Sequence, residues 1–484
     1  MKKTIQKILS ILIAVTMVMV LGITSFAAGT NDITITKSSN DTATHTYEAY
    51  QIFSGTLDTD TQGNTVLKDL VWGQGVDSAA LIIALGLDPA TATEGDAALA
   101  LEAMSGHDAA ELIKDCLGTP ADSVTTDATS ATLTVPSPGY YYVSDTITSG
   151  ETGAVSNFIL EVVEDTDVSI NAKVDVPSLD KVIDEGSGVT SNAVSIGDTV
   201  AFKITSAVPD TSEFTTYNFT VNDTLSAGLT FDAITSVKVG GTDVAQADYT
   251  FNQSGQSFTL KLDKIKDYTA GDEIEIKYTA VLNENCEFDT TPNTNTASLQ
   301  FSNNPNESSS NGKTPDIVTR TYTTGIEINK VDENGDPLPG AKFTLSGNAI
   351  NTMIITDKNG THTEDCSAAA SYEGEVDANG FISFEGLAPG TYTLHEEAPN
   401  GYNSVSDKTV TIGCTFDPTT GDPTWTYEID GAAGTNSLTI QNTRASVLPT
   451  TGGIGTTVFY IAGGALLIGG VVLLVTKKKS EAKK

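Results

Sequence analysis

The sequence predicts a mainly β chain made of tandem β-sandwich domains, with some helix in the first of them. Thr, Ser, Val, Ile, Gly and Asn are abundant and helical periodicity is scarce, so short alternating strands dominate. Residues 28–451, which lie between two terminal signals, are enough for about three domains. Residues 77–117 are the exception, because their Ala, Leu and Glu content predicts helices.

The first residues have the pattern of a secretory signal. Lys2, Lys3 and Lys7 precede an apolar run over residues 8–21, and small residues follow at Ser25-Phe26-Ala27. This order predicts export and cleavage after Ala27, so residues 1–27 form the signal peptide. The alternative is an uncleaved membrane anchor.

The C-terminal end carries three features in order. An apolar run at 454–475 is long enough to span a bilayer, and a basic tail at 477–484, which begins with three lysines, holds its end in the cytoplasm. A short motif stands just before the run: Leu448-Pro449-Thr450-Thr451-Gly452. The arrangement resembles the sorting signal of sortase substrates, Leu-Pro-any-Thr-Gly. The resemblance implies that a sortase cleaves after Thr451 and passes its carboxyl group to an amine; the alternative is a plain membrane anchor.

The charge balance excludes some partners. The chain has 62 acidic and 26 basic residues, a net charge of −36. So acidic a surface favours solubility and argues against binding to nucleic acid or to an anionic membrane.

The four cysteines have no metal-ligand spacing, and no metal or cofactor is predicted. Export permits disulfides. Cys366 and Cys414 fall in one predicted domain, so they are candidates for a disulfide. Cys116 and Cys286 fall in different domains and are either free thiols or a bridge.

Three modules are predicted, over residues 28–172, 173–316 and 317–445, before the sorting signal at 446–484. In the third, an Asn-Gly turn joins two strands within 325–343, and further strand segments lie at 381–384, 387–402 and 438–442. These segments resemble Cna-B-type immunoglobulin-like domains. Segments at 197–204, 217–229 and 295–305, with 47–55 and 139–145, resemble the middle and N-terminal domains of Gram-positive, sortase-assembled pilus major subunits. The resemblance implies tandem immunoglobulin-like sandwiches.

Several strands aim a lysine, an acid and an amide at the protein interior. Residues two apart share a strand face, so Lys330 shares the face of Ile326 and Ile328. By the same alternation Glu396 and Asn442 face inward, as do Lys181, Asp223 and Asn303 in the middle module. Burying charge is costly; it lowers the pKa of a lysine and raises that of a carboxylic acid.

A neutral amine is a nucleophile, and a protonated acid can polarise an amide and carry protons. Proximity then predicts self-formed Lys–Asn isopeptide bonds, with loss of ammonia, as the resemblance also implies. We expect Lys330–Asn442 promoted by Glu396, with Glu397 as the alternative, and Lys181–Asn303 promoted by Asp223. Ordinary salt bridges are the competing interpretation.

The first module holds a similar but incomplete set. Lys37 and Asp145 occupy inward positions, and Asp145 follows Gly139 at the spacing by which Glu396 follows Gly390. The third member would be Asn171, which alternation places on the opposite face unless a bulge intervenes. Whether this module is crosslinked stays open.

Lys173 lies at the junction of the first two modules, and alternation points it outward. Pilus backbone subunits carry a lysine at this junction, so the resemblance implies that Lys173 attacks the thioester formed from Thr451 of another subunit. The implied product is a head-to-tail fibre made by a pilin-specific sortase and anchored to peptidoglycan by a housekeeping sortase. Accessory pilins and a host or extracellular surface are further implied partners. A solvated linker lysine is the alternative.

Two rival functions remain. A monomeric wall-anchored adhesin or minor pilin would have the sorting signal and the crosslinks without a polymerisation lysine. An enzyme would need a catalytic constellation, and His45, His107, His362 and His395 form no recognisable triad or metal spacing. We therefore expect a structural protein whose only chemistry is its own crosslinking.

Overall fold

The computed structural model describes residues 31–59, 65–162, 167–174, 176–186, 188–347, 350–446 and 454–481. Within these ranges the chain forms six β-sheets that pair into three sandwiches. The predicted signal peptide 1–27 and the pentapeptide 448–452 lie outside the described residues. The mainly β, tandem-sandwich class predicted from the sequence is confirmed.

The first domain combines two sheets with three helices. Its strands follow the order β5-β1-β8 in one sheet and β3-β2-β6-β7 in the other, with β4 also on β2. The helices fall inside the predicted segment 77–117, and each begins at a side chain that caps its first turn, namely Asp77, Thr93 and Ser105. The elements are β1 (Asn31–Thr36), β2 (Thr44–Thr59), β3 (Thr65–Trp72), α1 (Ser78–Ala84), α2 (Glu94–Glu102), α3 (Gly106–Lys114), β4 (Asp122–Thr126), β5 (Ser130–Val135), β6 (Gly139–Ser149), β7 (Phe158–Val162) and β8 (Val168–Asn171).

The middle domain is a sandwich of two larger sheets, β14-β13-β17-β11-β9 and β10-β20-β18-β12-β16-β15, with β19 on β18. Strict alternation of buried and partly exposed residues along β11 and β17 places one face of each strand in the core. The elements are β9 (Asp180–Ile183), β10 (Ser191–Ala193), β11 (Thr199–Ala207), β12 (Phe219–Leu225), β13 (Leu229–Val239), β14 (Thr242–Asp243), β15 (Tyr249–Ser254), β16 (Ser257–Leu262), β17 (Glu273–Leu282), β18 (Asn293–Ser302), β19 (Asn311–Lys313) and β20 (Ile317–Tyr322), with short 3₁₀ turns at Gln246–Asp248 and Ile265–Asp267.

The predicted boundary between residues 316 and 317 is wrong. Strand β20 begins at Ile317, yet it pairs with β18 and β10 inside the middle domain. After β19 the chain passes Pro315 and returns to the same sheet as β20 before it leaves the domain. The middle domain therefore extends to Tyr322.

The third domain pairs the sheets β24-β23-β26-β21-β31 and β25-β22-β27-β28-β29-β30. Its first strand, β21, runs parallel to its last, β31, so the two ends of the domain are neighbours in one sheet. The elements are β21 (Thr324–Val331), β22 (Lys342–Ser346), β23 (Thr352–Asp357), β24 (Gly360–Asp365), β25 (Ser371–Glu375), β26 (Phe381–Leu387), β27 (Gly390–Glu397), β28 (Lys408–Phe416), β29 (Pro423–Ile429), β30 (Ala432–Gly434) and β31 (Ser437–Gln441).

Direct hydrogen bonds join the middle and third domains. The backbone N–H of Ile196 donates to the carbonyl of Gly386 at 3.0 Å, and Asn351 Nδ2 donates to Asp198 Oδ1 at 2.5 Å. Gly386 has a φ of +91°, and a Cβ there would collide with the Ile196 side chain. The close approach of the two domains therefore depends on glycine at this position.

The predicted Cys366–Cys414 disulfide is wrong. All four cysteines lie in the described ranges and all are free thiols. Cys366 follows β24, whose sheet is one layer of the sandwich, whereas Cys414 lies on β28 in the other layer, opposite Trp425. Sharing a domain does not bring two strands together. Cys116 and Cys286, left open by the sequence, are likewise unbridged.

An apolar helix, α4 (Ile454–Glu481), follows the three sandwiches. Within Thr457–Ser480 an 18-residue window has a mean hydropathy of 2.5, and this is the one segment in the described part of the chain that is long and apolar enough to cross a membrane. The helix continues through Lys477, Lys478 and Lys479, past the apolar run that the sequence delimits at 475.

Candidate crosslinking sites

The middle domain buries a lysine against an acid and an amide. Lys181 is completely buried; it points from β9, in one sheet, toward β12 and β18 in the other. Its Nζ donates to Asp223 Oδ2 at 2.7 Å and to Asn295 Oδ1 at 2.6 Å. Asp223 and Asn295 are also buried. The amine thus lies within contact distance of the carboxamide group that it would attack.

The surroundings of this site are apolar. Lys181 Nζ lies 5.5 Å from the ring centre of Phe202 and 5.7 Å from that of Tyr278. Burial lowers the pKa of Lys181 to about 8, although Asp223 opposes the shift. Burial also raises the pKa of Asp223, although Lys181 opposes that shift. Both changes favour the neutral amine and the protonated acid, which is the pair that isopeptide formation requires.

The prediction that Asn303 pairs with Lys181 is wrong, because Asn295 occupies that position. Both residues share one face of β18 by alternation, but β18 ends at Ser302 and Asn303 lies beyond it. Asn303 instead contacts the first domain: its Nδ2 donates to the carbonyl of Gly153 at 3.1 Å, and its carbonyl accepts from Val155 at 2.7 Å. It fastens the first domain to the middle domain.

The third domain buries Lys330 beside Glu396. Lys330 Nζ lies 3.5 Å from Glu396 Oε1 and donates to the carbonyl of Ile440 at 2.9 Å. Glu396 Oε2 accepts from the N–H of Val405 at 2.9 Å, which fixes the carboxyl group. The side chain of Glu397 is 67% exposed, so of the two glutamates only Glu396 faces the lysine. Burial lowers the pKa of Lys330.

Asn442 lies beside Val331, the residue after Lys330, since its N–H donates to the carbonyl of Val331 at 3.0 Å. It follows β31, which runs alongside β21 with Ile440 opposite Lys330. Its side chain is buried, and neither its Oδ1 nor its Nδ2 has a hydrogen-bond partner among the described residues. An unpaired buried amide costs roughly 1–3 kcal/mol. A covalent bond between Asn442 Cγ and Lys330 Nζ would account for that position.

The first domain differs, and the predicted partner Asn171 is wrong. Asn171 is exposed on β8, opposite the buried face that carries Ile170, and no bulge is recorded in the pairing of β8 with β1. Lys37 is buried, but its Nζ donates to the carbonyl of Ala43 at 2.5 Å and lies 3.3 Å from Asp41 Oδ1. The geometry therefore gives no amide for Lys37 to attack among these residues.

A histidine joins this cluster. His45 is fully buried; its Nδ1 lies 2.7 Å from Asp145 Oδ1 and its Nε2 lies 3.0 Å from Asp41 Oδ1. Burial alone would lower the pKa of His45, but the bonds to Asp145 and Asp41 raise it to about 9. With His45 protonated, two cations face two anions. The first-domain cluster, Lys37, Asp41, His45 and Asp145, is thus an ionic tie.

Lys173 lies where the first and middle domains meet. Its side chain is 35% exposed, and its Nζ lies 3.6 Å from Glu213 Oε1 of the middle domain. It borders a groove whose walls come from both domains, including His107, Phe158 and Pro305. The next residue, Val174, donates from its N–H to Ser156 Oγ at 3.1 Å.

Three residues of these buried clusters were not predicted as members from the sequence. Asn295, Tyr278 and His45 all occupy inward positions of alternating strands, so their burial was predictable from periodicity. Their partners lie on other strands, and periodicity alone does not pair strands.

Models of three protein families match the chain. A prealbumin-like fold domain matches residues 324–422, the Cna-B-like domain of Gram-positive pilin backbone subunit 2 matches 196–305, and the LPXTG cell wall anchor motif matches 440–482. Comparison with curated protein sequences gives no match.

Solved structures share the architecture. The T6 backbone pilin of serotype M6 Streptococcus pyogenes, a modular three-domain protein, aligns over 87% of this chain and 100% of its own, with 17% identity and a TM-score of 0.52. The major pilin SpaD of Corynebacterium diphtheriae aligns over 86% of this chain and 98% of its own, with 18% identity and a TM-score of 0.47. The first likeness supports the fold.

The tandem sandwiches and the matched anchor motif define a surface protein that is attached to the cell wall. More particularly, the chain is a backbone subunit of a sortase-assembled Gram-positive pilus.

Proposed function

We propose that this subunit crosslinks its own middle and third domains and is then joined head to tail through Lys173 and Thr451. The observation that carries the proposal is the contact of Lys181 Nζ with both Asp223 and Asn295 in a fully buried site. Such a group of three has the donor, the acid and the amide that form an isopeptide bond with loss of ammonia.

In the middle domain the bond would join Lys181 to Asn295, with Asp223 as the promoting acid. In the third domain it would join Lys330 to Asn442, with Glu396 in the same role. Each reaction occurs once in the folded chain and leaves the protein crosslinked. The chain therefore modifies itself in a single intramolecular reaction without turnover.

For polymerisation, Lys173 is the proposed acceptor. Its partial exposure and its place in a groove between two domains support access by an enzyme that carries a second subunit. A pilin-specific sortase would form the bond between Thr451 of one subunit and Lys173 of the next, and a housekeeping sortase would attach the fibre to peptidoglycan. Accessory pilins and a contacted surface remain further proposed partners.

The test of this linkage uses polymers that the chain forms with a pilin-specific sortase. After digestion, mass spectrometry should find a branched peptide in which the Thr451 carboxyl is bonded to Lys173 Nζ. Lys173→Arg should abolish the polymer. Lys313→Arg is the matched control, since Lys313 also lies near this junction and is 42% exposed in its side chain. Polymers of normal length from Lys173→Arg would contradict Lys173 as the acceptor, whereas a wild-type chain that forms no polymer with the sortase would favour an anchored monomeric adhesin or minor pilin.

A further inference from the structure

A tyrosine in the middle domain touches two of the three groups in the proposed crosslinking site. Tyr278 lies on β17, directly opposite Phe202 of β11, and is fully buried. Its hydroxyl donates to Asp223 Oδ2 at 2.7 Å and accepts from Asn295 Nδ2 at 3.0 Å. The hydroxyl therefore links the acid to the nitrogen that crosslinking would release.

The orientation of the amide follows from its two neighbours. The Lys181 ammonium group can only donate hydrogen bonds, so the Asn295 atom facing it must be Oδ1. This leaves Nδ2 toward Tyr278, whose hydroxyl proton is directed at Asp223 and whose oxygen is free to accept. Tyr278 thus holds the carboxamide with its carbonyl toward the nucleophile and its leaving group toward a proton source.

We propose that Tyr278 is a catalytic residue for the middle-domain crosslink, relaying a proton from Asp223 to the departing nitrogen of Asn295. The inference rests on the crosslink proposed above and assigns to a side chain outside the lysine, acid and amide the step in which the C–N bond breaks. A poor leaving group such as an amide nitrogen departs only when protonated, and an acid placed at hydrogen-bond distance supplies that proton.

The proton count closes with the groups present. Asp223 first takes one proton from the Lys181 ammonium, and the neutral Nζ attacks Asn295 Cγ. In the tetrahedral intermediate Nδ2 becomes basic; Tyr278 gives it the hydroxyl proton and takes the proton held by Asp223. Asp223 then accepts the second proton from Nζ, the Cγ–Nδ2 bond breaks and ammonia leaves. The products are the amide, ammonia and a protonated Asp223.

The third domain lacks this arrangement in the residues that the structure describes. Its core tyrosine, Tyr392, donates its hydroxyl to the carbonyl of Ala388 at 2.7 Å, and the Asn442 amide has no hydrogen-bond partner there. Each molecule therefore contains one site with the tyrosine relay and one without it, so the third-domain crosslink is an internal control.

The experiment follows crosslinking in the full ectodomain by pulsed synthesis and intact mass, with peptide mapping to assign each lost ammonia to its domain. Tyr278→Phe keeps the ring and removes the hydroxyl; it should slow the middle-domain bond by about 10²-fold or more, the range for a general acid. The third-domain bond should form at its normal rate. Tyr322→Phe is the matched control, because its buried hydroxyl has no hydrogen-bond partner among the described residues.

A middle-domain bond that forms at the normal rate in Tyr278→Phe would overturn the relay and leave the crosslink proposal standing. A wild-type chain without the middle-domain bond would instead overturn the crosslink proposal itself. If Tyr278→Phe does not fold, the wild-type chain provides the test. The relay moves two protons in the step that protonates the leaving nitrogen, one from Asp223 to Tyr278 and one from Tyr278 to Asn295, and the third domain has no such hydroxyl among its described residues. Heavy water should therefore slow the middle-domain bond more than the third-domain bond. Equal slowing of the two would contradict the relay.

Discussion

The first domain and the two that follow it bury lysines by different means. In the first-domain cluster the positive charges of Lys37 and His45 are balanced by the negative charges of Asp41 and Asp145. Lys181 contacts an acid and an amide, Lys330 lies beside an acid, and both lysines are the proposed nucleophiles of isopeptide bonds. In the proposed polymer, tension enters the subunit at Lys173 and leaves near Thr451, so the first domain lies outside the load path. The two proposed covalent ties therefore lie in the domains through which tension would pass.

The middle and third domains also differ from each other. In the third, the proposed bond joins the first strand to the residue after the last one, so residues 331–441 carry no load. In the middle domain the bond joins β9 to the start of β18, so residues 296–322, with β19 and β20, remain in the load path. A wall-anchored fibre would therefore be able to extend slightly in its middle domains and hardly at all in its third domains.

Force spectroscopy gives the largest expected effect. With handles at position 173 and after residue 446, the wild-type chain should release only the short middle-domain segment. Asn295→Ala should release the residues between 181 and 295 as well, on the order of 400 Å of extra chain at about 3.5 Å per residue. Asn303→Ala should extend like the wild type, since Asn303 does not contact Lys181. Equal extension of Asn295→Ala and wild type would contradict the load path.

Thermal unfolding should show the next largest effect. Asp223→Ala removes the promoting acid and leaves Lys181 buried without its counter-ion, at a cost of about 3–5 kcal/mol. It also removes a long-loop crosslink, which is worth on the order of 4 kcal/mol if it acts like a disulfide. Calorimetry should therefore find the middle-domain transition lowered by roughly 10–20 °C or more.

The matched variant for this measurement is Asp232→Ala, which changes an exposed aspartate on β13 of the same domain. It should stay within about 0.5 kcal/mol of wild type. A middle-domain transition that is equally stable in Asp223→Ala would show that this acid promotes nothing and pairs with nothing essential.

The stability of the first domain should depend on pH. The folded pKa of His45, about 9, lies above the ordinary value of 6.5. Its contribution to stability is therefore fully present below pH 6.5 and is lost as the pH rises through 9, amounting to about 3 kcal/mol. Urea unfolding followed by Trp72 fluorescence, in a Trp425→Phe background, should show this loss.

His45→Gln removes the titrating group, so its stability between pH 6.5 and pH 9.5 should vary much less than that of the parent. A parent whose first domain is equally stable at both ends of this range would contradict the ionic tie.

Glu213 gives the smallest expected effect. Its carboxylate lies 3.6 Å from Lys173 Nζ in a partly exposed pair, which is worth at most about 1 kcal/mol. Glu213→Gln should therefore change the rate of sortase-catalysed polymerisation by no more than several-fold, whereas Lys173→Arg should abolish polymerisation. A complete loss of polymer in Glu213→Gln, with Glu151→Gln normal, would show that Glu213 has a larger role.

Much of the fold and of two sites could be predicted from alternation alone. It identified Lys181, Asp223, Lys330, Glu396 and Asn442 as inward residues, because a charged side chain on a core face is conspicuous. The choice between Asn295 and Asn303 could not be made this way, since both lie on one face of the same strand. Alternation shows which face of the sheet a residue lies on. It does not show which residues of the neighbouring strands lie opposite, because that depends on the register of β12 with β18.

The arrangement of the first-domain cluster could not be predicted from the sequence for a related reason. Asp145 has the spacing of a promoting acid, yet His45, on the neighbouring strand β2, occupies the space in front of it. Strand pairing brings these two residues together across 100 positions of sequence. No local sequence pattern predicts a contact between residues so far apart in the chain.

The most direct test is the intact mass of the ectodomain, residues 28–447, after reduction. Two proposed isopeptide bonds predict a mass lower than the calculated value by two ammonias in the wild type and in Asn303→Ala, and by one in Asn295→Ala and in Asn442→Ala. The full calculated mass in the wild type, or a loss that disappears with Asn303 and persists without Asn295, would contradict the proposed crosslinks.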